Sequence, residues 1–286
     1  KNGISFAVLD GLFYYHTPHD NYTNVNPSSI AHYGAQIVPL VEEFVTSSEY
    51  GDVDYFDSDG NQIFFTVFPN VFITYSETLG SVLHILIIVA VIGLFALMLI
   101  KDEITLPKIV KSFLILFGLI IGVVLFGYIV ANIVAKISKV PFDVTYIRTT
   151  IGGVPSFVTL LLIALFVPYM YHKYTSDDDI RYSLIVSGMF INALLALLTG
   201  FALSGASFLF MIPAASMLIY LGLRTWCRKA LVKKIVVGVL LIVIIMIVLP
   251  ILYSLYLALT IGGLLALGVI LVFYLFTLTP LFIELY

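Results

Sequence analysis

Apolar and polar positions divide this chain in two. After residue 77, long apolar runs alternate with short polar connections; before it, apolar residues are interspersed with acidic, hydroxyl and amide side chains. Seven runs approach or reach the ~20 residues needed to cross ~30 Å of hydrocarbon as a helix. They cover residues 79–100, 112–135, 154–171, 182–200, 204–222, 235–258 and 263–284. The junctions at 200–204 and 260–263 are so short that one long bent helix is the alternative to two spans at either place. The pattern predicts an all-α polytopic membrane domain of about seven spans over 78–286.

Residues 1–77 read as mixed α/β. Residues 5–9 and 12–15 have strand character and flank Asp10-Gly11, a hairpin-turn dipeptide. Asn26-Pro27 is a helix start, with Asn as N-cap and Pro in the first turn. Ile30, Ile37, Val38, Val41, Phe44 and Val45 then fall on one helical face, and Pro39 is expected to kink or shorten that helix. Residues 53–56 and 62–68 read as a hairpin around Ser58-Asp59-Gly60-Asn61. So short a segment buries little core, and its first strand lacks an evident partner on one edge, so neighbours upstream of Lys1 are expected.

Composition agrees with a lipid solvent for most of the chain: 61% hydrophobic, 11% charged, mean hydropathy +1.09. A net charge of -3 gives no electrostatic case for a nucleic-acid partner. The single Cys227 excludes an internal disulfide framework. No basic region followed by a long apolar core opens the sequence, so an export signal would precede Lys1 or be supplied by the first span. If residues 1–77 lie outside the cytosol, ten Lys and Arg fall in inside loops and three in outside loops. The loop 224–234 supplies half of those ten, so an extracytosolic soluble part is expected.

The candidate chemistry gathers at Tyr15-His16-Thr17-Pro18-His19-Asp20. A neutral imidazole is a common zinc donor, which makes His16 the metal candidate. Pro18 between His16 and His19 disfavours their joint chelation as a helical pair. Asp20 is placed either to hold the free nitrogen of His16 or to cap the following turn. Other features read as structural. Asn21-Tyr22-Thr23 is a glycosylation sequon beside this segment, and Asp54, Asp57 and Asp59 lack the terminal Glu of a calcium loop. Asp177-Asp178-Asp179 suits a solvated loop, and His84 suits an interfacial or helix-packing role.

Residues 12–34, with Tyr15-His16-Thr17, Asp20, Asn24-Val25, Pro27, Ile30 and Gly34, resemble the closing motif of metallopeptidase family 28. That family includes co-catalytic zinc aminopeptidases and glutamate carboxypeptidases. The aromatic stretch 51–68 followed by many spans is similar to its multispanning membrane branch, the vacuolar and endoplasmic-reticulum membrane proteases and their bacterial relatives. The resemblance implies an α/β C-terminal segment of a zinc peptidase domain over 1–77. It implies His16 as the last zinc-binding His and Tyr15 as a donor to the tetrahedral intermediate, a group worth a few kcal/mol. Two zinc ions ~3.5–4 Å apart would activate a water and clamp the scissile carbonyl.

The departure from the family is large. Its other ligands, a nearby His and Asp, a paired Glu-Glu and a further acid, precede the motif, and none can be assigned in residues 1–14. The chain is therefore expected to be an inactive C-terminal fragment of a longer peptidase or of an inactive relative. The implied function is a membrane-anchored zinc-dependent exopeptidase, aminopeptidase-like, in a vacuolar or endoplasmic-reticulum lumen or at a bacterial exterior. Its expected partners are a peptide substrate, the lipid bilayer and, in a homo-oligomer, a second copy of itself. The alternative is a polytopic receptor or transporter. Transport coupled to ions is disfavoured because the central portions of the spans hold no Lys, Arg, Asp or Glu, and Asn192 is their most polar side chain. An intramembrane protease is disfavoured too: Ala202-Leu203-Ser204-Gly205 is one glycine short of a rhomboid-like serine motif, and no later span supplies a His.

Overall fold

The computed structural model describes residues 11, 14, 15, 17–52, 60–68, 71–144, 147, 149–174 and 178–285. The expected strand at 5–9, His16, and the strand and acidic loop within 53–59 lie outside the described residues.

Helix α1 spans Pro27–Thr46 and begins as its sequence dictates: the Asn26 side chain accepts from the Ser28 N–H at 2.9 Å, and Pro27 occupies the first turn. The helix is not shortened at Pro39 but continues to Thr46. Proline removes a single N–H donor, and the turns on either side keep their own bonds. None of its residues is buried.

Strand β1 (Gln62–Phe68) pairs antiparallel with β2 (Val71–Ser76), and the register slips between Thr66 and Phe68. Among the described residues the partner of 62–68 is the following segment, 71–76. Val71-Phe72-Ile73-Thr74-Tyr75 is itself an alternating β-branched and aromatic run, although in sequence it reads as the approach to the first span.

Seven helices follow: α2 (Glu77–Ile100), α3 (Leu106–Ile137), α4 (Gly153–Tyr174), α5 (Asp178–Ala202), α6 (Phe208–Trp226), α7 (Ala230–Ala258) and α8 (Leu264–Leu285). Each is long and apolar enough to cross a membrane. The two tight junctions are true breaks, closed by 3-10 turns at Ser204–Ala206 and Ile261–Gly263, so the bent-helix alternative falls at both places.

The last helix sits at the centre, packed against α3, α4, α5, α6 and α7. Over half of its membrane-length stretch (56%) is buried, against 22% for each of α2, α3 and α4, which form part of the outer ring. Gly268 permits this: a Cβ there would lie 2.6 Å from Cγ1 of Val123 on α3 and 3.4 Å from Ile163 on α4. Small residues at such crossings matter in lipid, where packing rather than water exclusion holds helices together. The one central amide, Asn192, is buried and donates to the Gly188 carbonyl at 2.9 Å and towards Thr277 Oγ1 at 3.4 Å.

The two ends of the bundle are built differently. At one end a polar clasp gathers α5, α6, α7 and α8. The Tyr220 hydroxyl donates to Glu284 at 3.1 Å, Arg224 lies 3.7 Å from the same carboxylate, and the Arg224 guanidinium sits 4.1 Å over the Tyr182 ring. Lys234 donates to the Leu285 carbonyl at 3.1 Å. At the other end lies the hairpin. Ile63 is buried in a cluster with Ala196, Phe208, Met211 and Ile247, and Phe65 stacks on Phe208 at 4.2 Å. Asn61 donates to the Glu77 carboxylate at 2.9 Å, pinning the base of the hairpin to the start of α2.

Candidate functional site

The segment carrying Tyr15 and Asp20 is a ladder of turns, not the end of a strand. Gly11 has φ +76°, a left-handed value natural to glycine, and its carbonyl accepts from the Tyr14 N–H at 3.0 Å. The Tyr14 carbonyl then takes both the Thr17 N–H at 3.1 Å and the Thr17 hydroxyl at 2.6 Å. These bonds occupy groups that a sheet ladder would have used, so the expected strand at 12–15 does not form at Tyr14 and Tyr15. Further along, the Asp20 N–H bonds to the Thr17 carbonyl, and the Asn24 amide donates to the His19 carbonyl at 2.8 Å. Asn21 caps the short 3-10 turn Tyr22–Asn24 through the Thr23 N–H, while its own amide donates to the Pro18 carbonyl at 3.0 Å. The ladder delivers the chain directly into the Asn26 cap of α1.

On this ladder Tyr15 and Asp20 are both exposed, Tyr15 at 54%. His16, the metal candidate, lies outside the described residues. His32 belongs to α1, where its ring is hydrogen-bonded to Gln36 at 2.6 Å, one turn further along the same helix. Among the described residues no three His, Cys, Asp or Glu side chains come together as a metal-holding group. The described residues therefore supply no zinc-holding set of their own.

The ladder begins against the membrane domain. Gly11 lines a recess of about 160 Å³ together with Thr149, Thr150, Ser156, Tyr256 and Thr260, at the same end of the bundle as the hairpin. Its rim is fixed by two bonds: Tyr256 donates to the Gly153 carbonyl at 3.0 Å, and the Ile147 N–H donates to the Thr260 hydroxyl at 2.7 Å. Threonine, serine and tyrosine hydroxyls share the lining with Leu257, Leu259 and Ile261, so the recess is of mixed polarity. Four residues of extended chain span at most about 14 Å, so Tyr15 is within that distance of the recess wall.

Two polar atoms are buried beneath the hairpin, one on His84, which the sequence marks for helix packing, and one on Tyr75, which a reading by spans passes over. The Tyr75 hydroxyl and His84 Nε2 are enclosed without a hydrogen-bond partner among the described residues. Burial pushes the Tyr75 phenol above its ordinary pKa. His84 packs on Gly200 of α5, where a Cβ would stand 2.9 Å from the imidazole Nδ1, so its role is helix packing. The sequence signal for Tyr75 was its place on the inward register of the alternating run 71–75.

Comparison with known proteins gives one distant similarity. The chain is 22% identical over 183 residues to Endoplasmic reticulum metallopeptidase 1 of Rattus norvegicus, covering 61% of this chain. The chain spans about a fifth (20%) of the length of that protein. No family model matches, and no solved structure matches.

Proposed function

We propose that this chain is the membrane-anchoring part of a zinc-dependent exopeptidase, aminopeptidase-like, acting on peptides outside the cytosol. The observation that carries the reading is the similarity to Endoplasmic reticulum metallopeptidase 1 in a chain with seven membrane-capable helices. Gly11, four residues before Tyr15, lines a recess at the hairpin end of the bundle, the side on which a catalytic domain joined to it would stand. On this reading His16 contributes one zinc ligand, Tyr15 a hydrogen bond to the reacting carbonyl, and Asp20 support to His16. The other ligands come from residues that this chain does not contain, and the chain alone is inactive. The distribution of Lys and Arg supports an extracytosolic hairpin end, because the basic loop 224–234 lies at the clasp end.

A second reading is an inactive relative of such peptidases, because none of the family's other ligands can be assigned in residues 1–14. One experiment separates the two. Zinc is measured by elemental analysis, and aminopeptidase activity is assayed, on the full-length protein that carries this sequence and on its His16→Ala variant. About two zinc ions per chain with activity, both sharply reduced in the variant, support the peptidase. A well-folded protein that binds no zinc in either form sinks it and leaves the inactive relative.

A further inference from the structure

One face of the β-hairpin is bare. Phe64 on β1 and Phe72 on β2 are each 61% exposed, with ring centroids 5.7 Å apart. The register places Thr66 and Thr74 on the same face, so it carries no charged side chain. An uncharged face with two exposed aromatic rings is costly to hold in water.

The opposite face fixes its level. Ile63 shares its buried cluster with Ile247 of α7 and Ala196 of α5, both well inside the spans. Lys234 is the last of the basic residues that open α7. About 20 residues onward, near Ser254, the hydrocarbon ends. Ile247 then lies about 10 Å inside that boundary, at 1.5 Å per residue. The hairpin also enters α2 without a linker, Ser76 closing β2 and Glu77 opening the span. Among the described residues the sheet has two strands, and the edges they leave open set a limit in the other direction, because unpaired N–H and C=O groups are not tolerated in hydrocarbon. The level that satisfies both constraints is the boundary between headgroups and acyl chains, where aromatic rings concentrate in membrane proteins.

We propose that the Phe64–Phe72 face is a lipid-contacting surface seated in the headgroup–acyl boundary, so that the hairpin is held by the bilayer on one side and by α2, α6 and α7 on the other. The proposal does not depend on the peptidase reading. Its consequence for that reading is that the segment at Tyr15–Asp20 is kept close to the membrane surface.

The test uses the fact that Trp226 is the only tryptophan. In a Trp226→Phe background, Phe64→Trp and Phe72→Trp are placed one at a time in phosphatidylcholine vesicles. Emission is followed with lipids brominated near the headgroup and with aqueous iodide; Tyr22→Trp, at a position 88% exposed on the turn ladder, serves as the water-facing reference. The expected result is strong quenching by the brominated lipid at 64 and 72, with iodide quenching well below that at 22. Iodide quenching equal to that at 22 would place the face in water and overturn the proposal. Quenching by neither agent would show that protein covers the face, and would overturn it equally. Cysteine variants at 64 and 72 in a Cys227→Ser background repeat the test with a membrane-impermeant maleimide, for which slow labelling is expected and labelling as fast as at Tyr22→Cys would overturn the proposal.

Discussion

Helices α1 and α8 are close in length, 20 and 22 residues, yet α8 has ten buried residues and α1 has none. Both are apolar on a face broad enough to pack. The difference is that α8 is surrounded by five other helices, while α1 keeps Ile30, Val38, Val41 and Val45 exposed. Among the described residues α8 finds its packing partners within the bundle, whereas the exposed apolar face of α1 calls for a partner outside them.

That contrast can be broken at α8 and sharpened at α1. The largest effect is expected at Phe276, 1% exposed in α8 and edge-on to Tyr171 at 5.8 Å. Phe276→Ala removes a ring from a packed interior and should cost about 3 kcal/mol, read as a lower unfolding midpoint in detergent. An unchanged midpoint would mean that α8 is not the keystone of the bundle.

A smaller effect belongs to Tyr75. Its folded-state pKa is raised by burial, so the folded protein holds the phenolic proton more tightly than the unfolded chain does. The associated stability is present below the ordinary tyrosine pKa of about 10 and is lost as the pH rises through the higher folded value. Tyr75→Phe should therefore flatten the alkaline limb of the stability–pH curve, and should change neutral-pH stability by about 1 kcal/mol or less. A variant with the same alkaline limb would show that the hydroxyl is solvated after all.

The smallest effect is expected at Phe44 of α1, 39% exposed and stacked on Tyr50 at 4.5 Å. Phe44→Ala should leave the stability of this chain within about 0.5 kcal/mol of the parent, measured in the same assay. A loss comparable to that at Phe276 would reveal packing of α1 that the structure does not show.

How far the sequence could be read follows from the range of the interactions involved. The seven spans were legible because each depends on about 20 consecutive residues and on a solvent that permits only helices. The start of α1 was legible because Asn26 and Pro27 act on their immediate neighbours. Strand β2 was missed because Val71–Ser76 runs straight into Glu77 and reads as part of an apolar approach to the membrane. The turn ladder was missed because the bonds of Thr17, Asn21 and Asn24 to nearby carbonyls outcompete the strand propensity of Tyr14 and Tyr15. For the candidate site, the residue types at Tyr15, His16 and Asp20 suggested a chemistry through resemblance alone. A metal centre is assembled from side chains far apart in sequence, so a short motif cannot display it.

The central position of α8 also governs how the protein is made. Ribosomes deliver α2 to α7 before α8, and those six helices must wait in the bilayer around a slot that its 22 residues will fill. Until then the contact faces of Val123, Ile163 and Met217 lie against lipid, and the Arg224 and Tyr220 side chains lack Glu284. A chain stopped before Leu264 presents membrane quality control with an open bundle and an unmatched charge. Arrival of α8, rather than insertion of any earlier helix, is the step that locks these helices together.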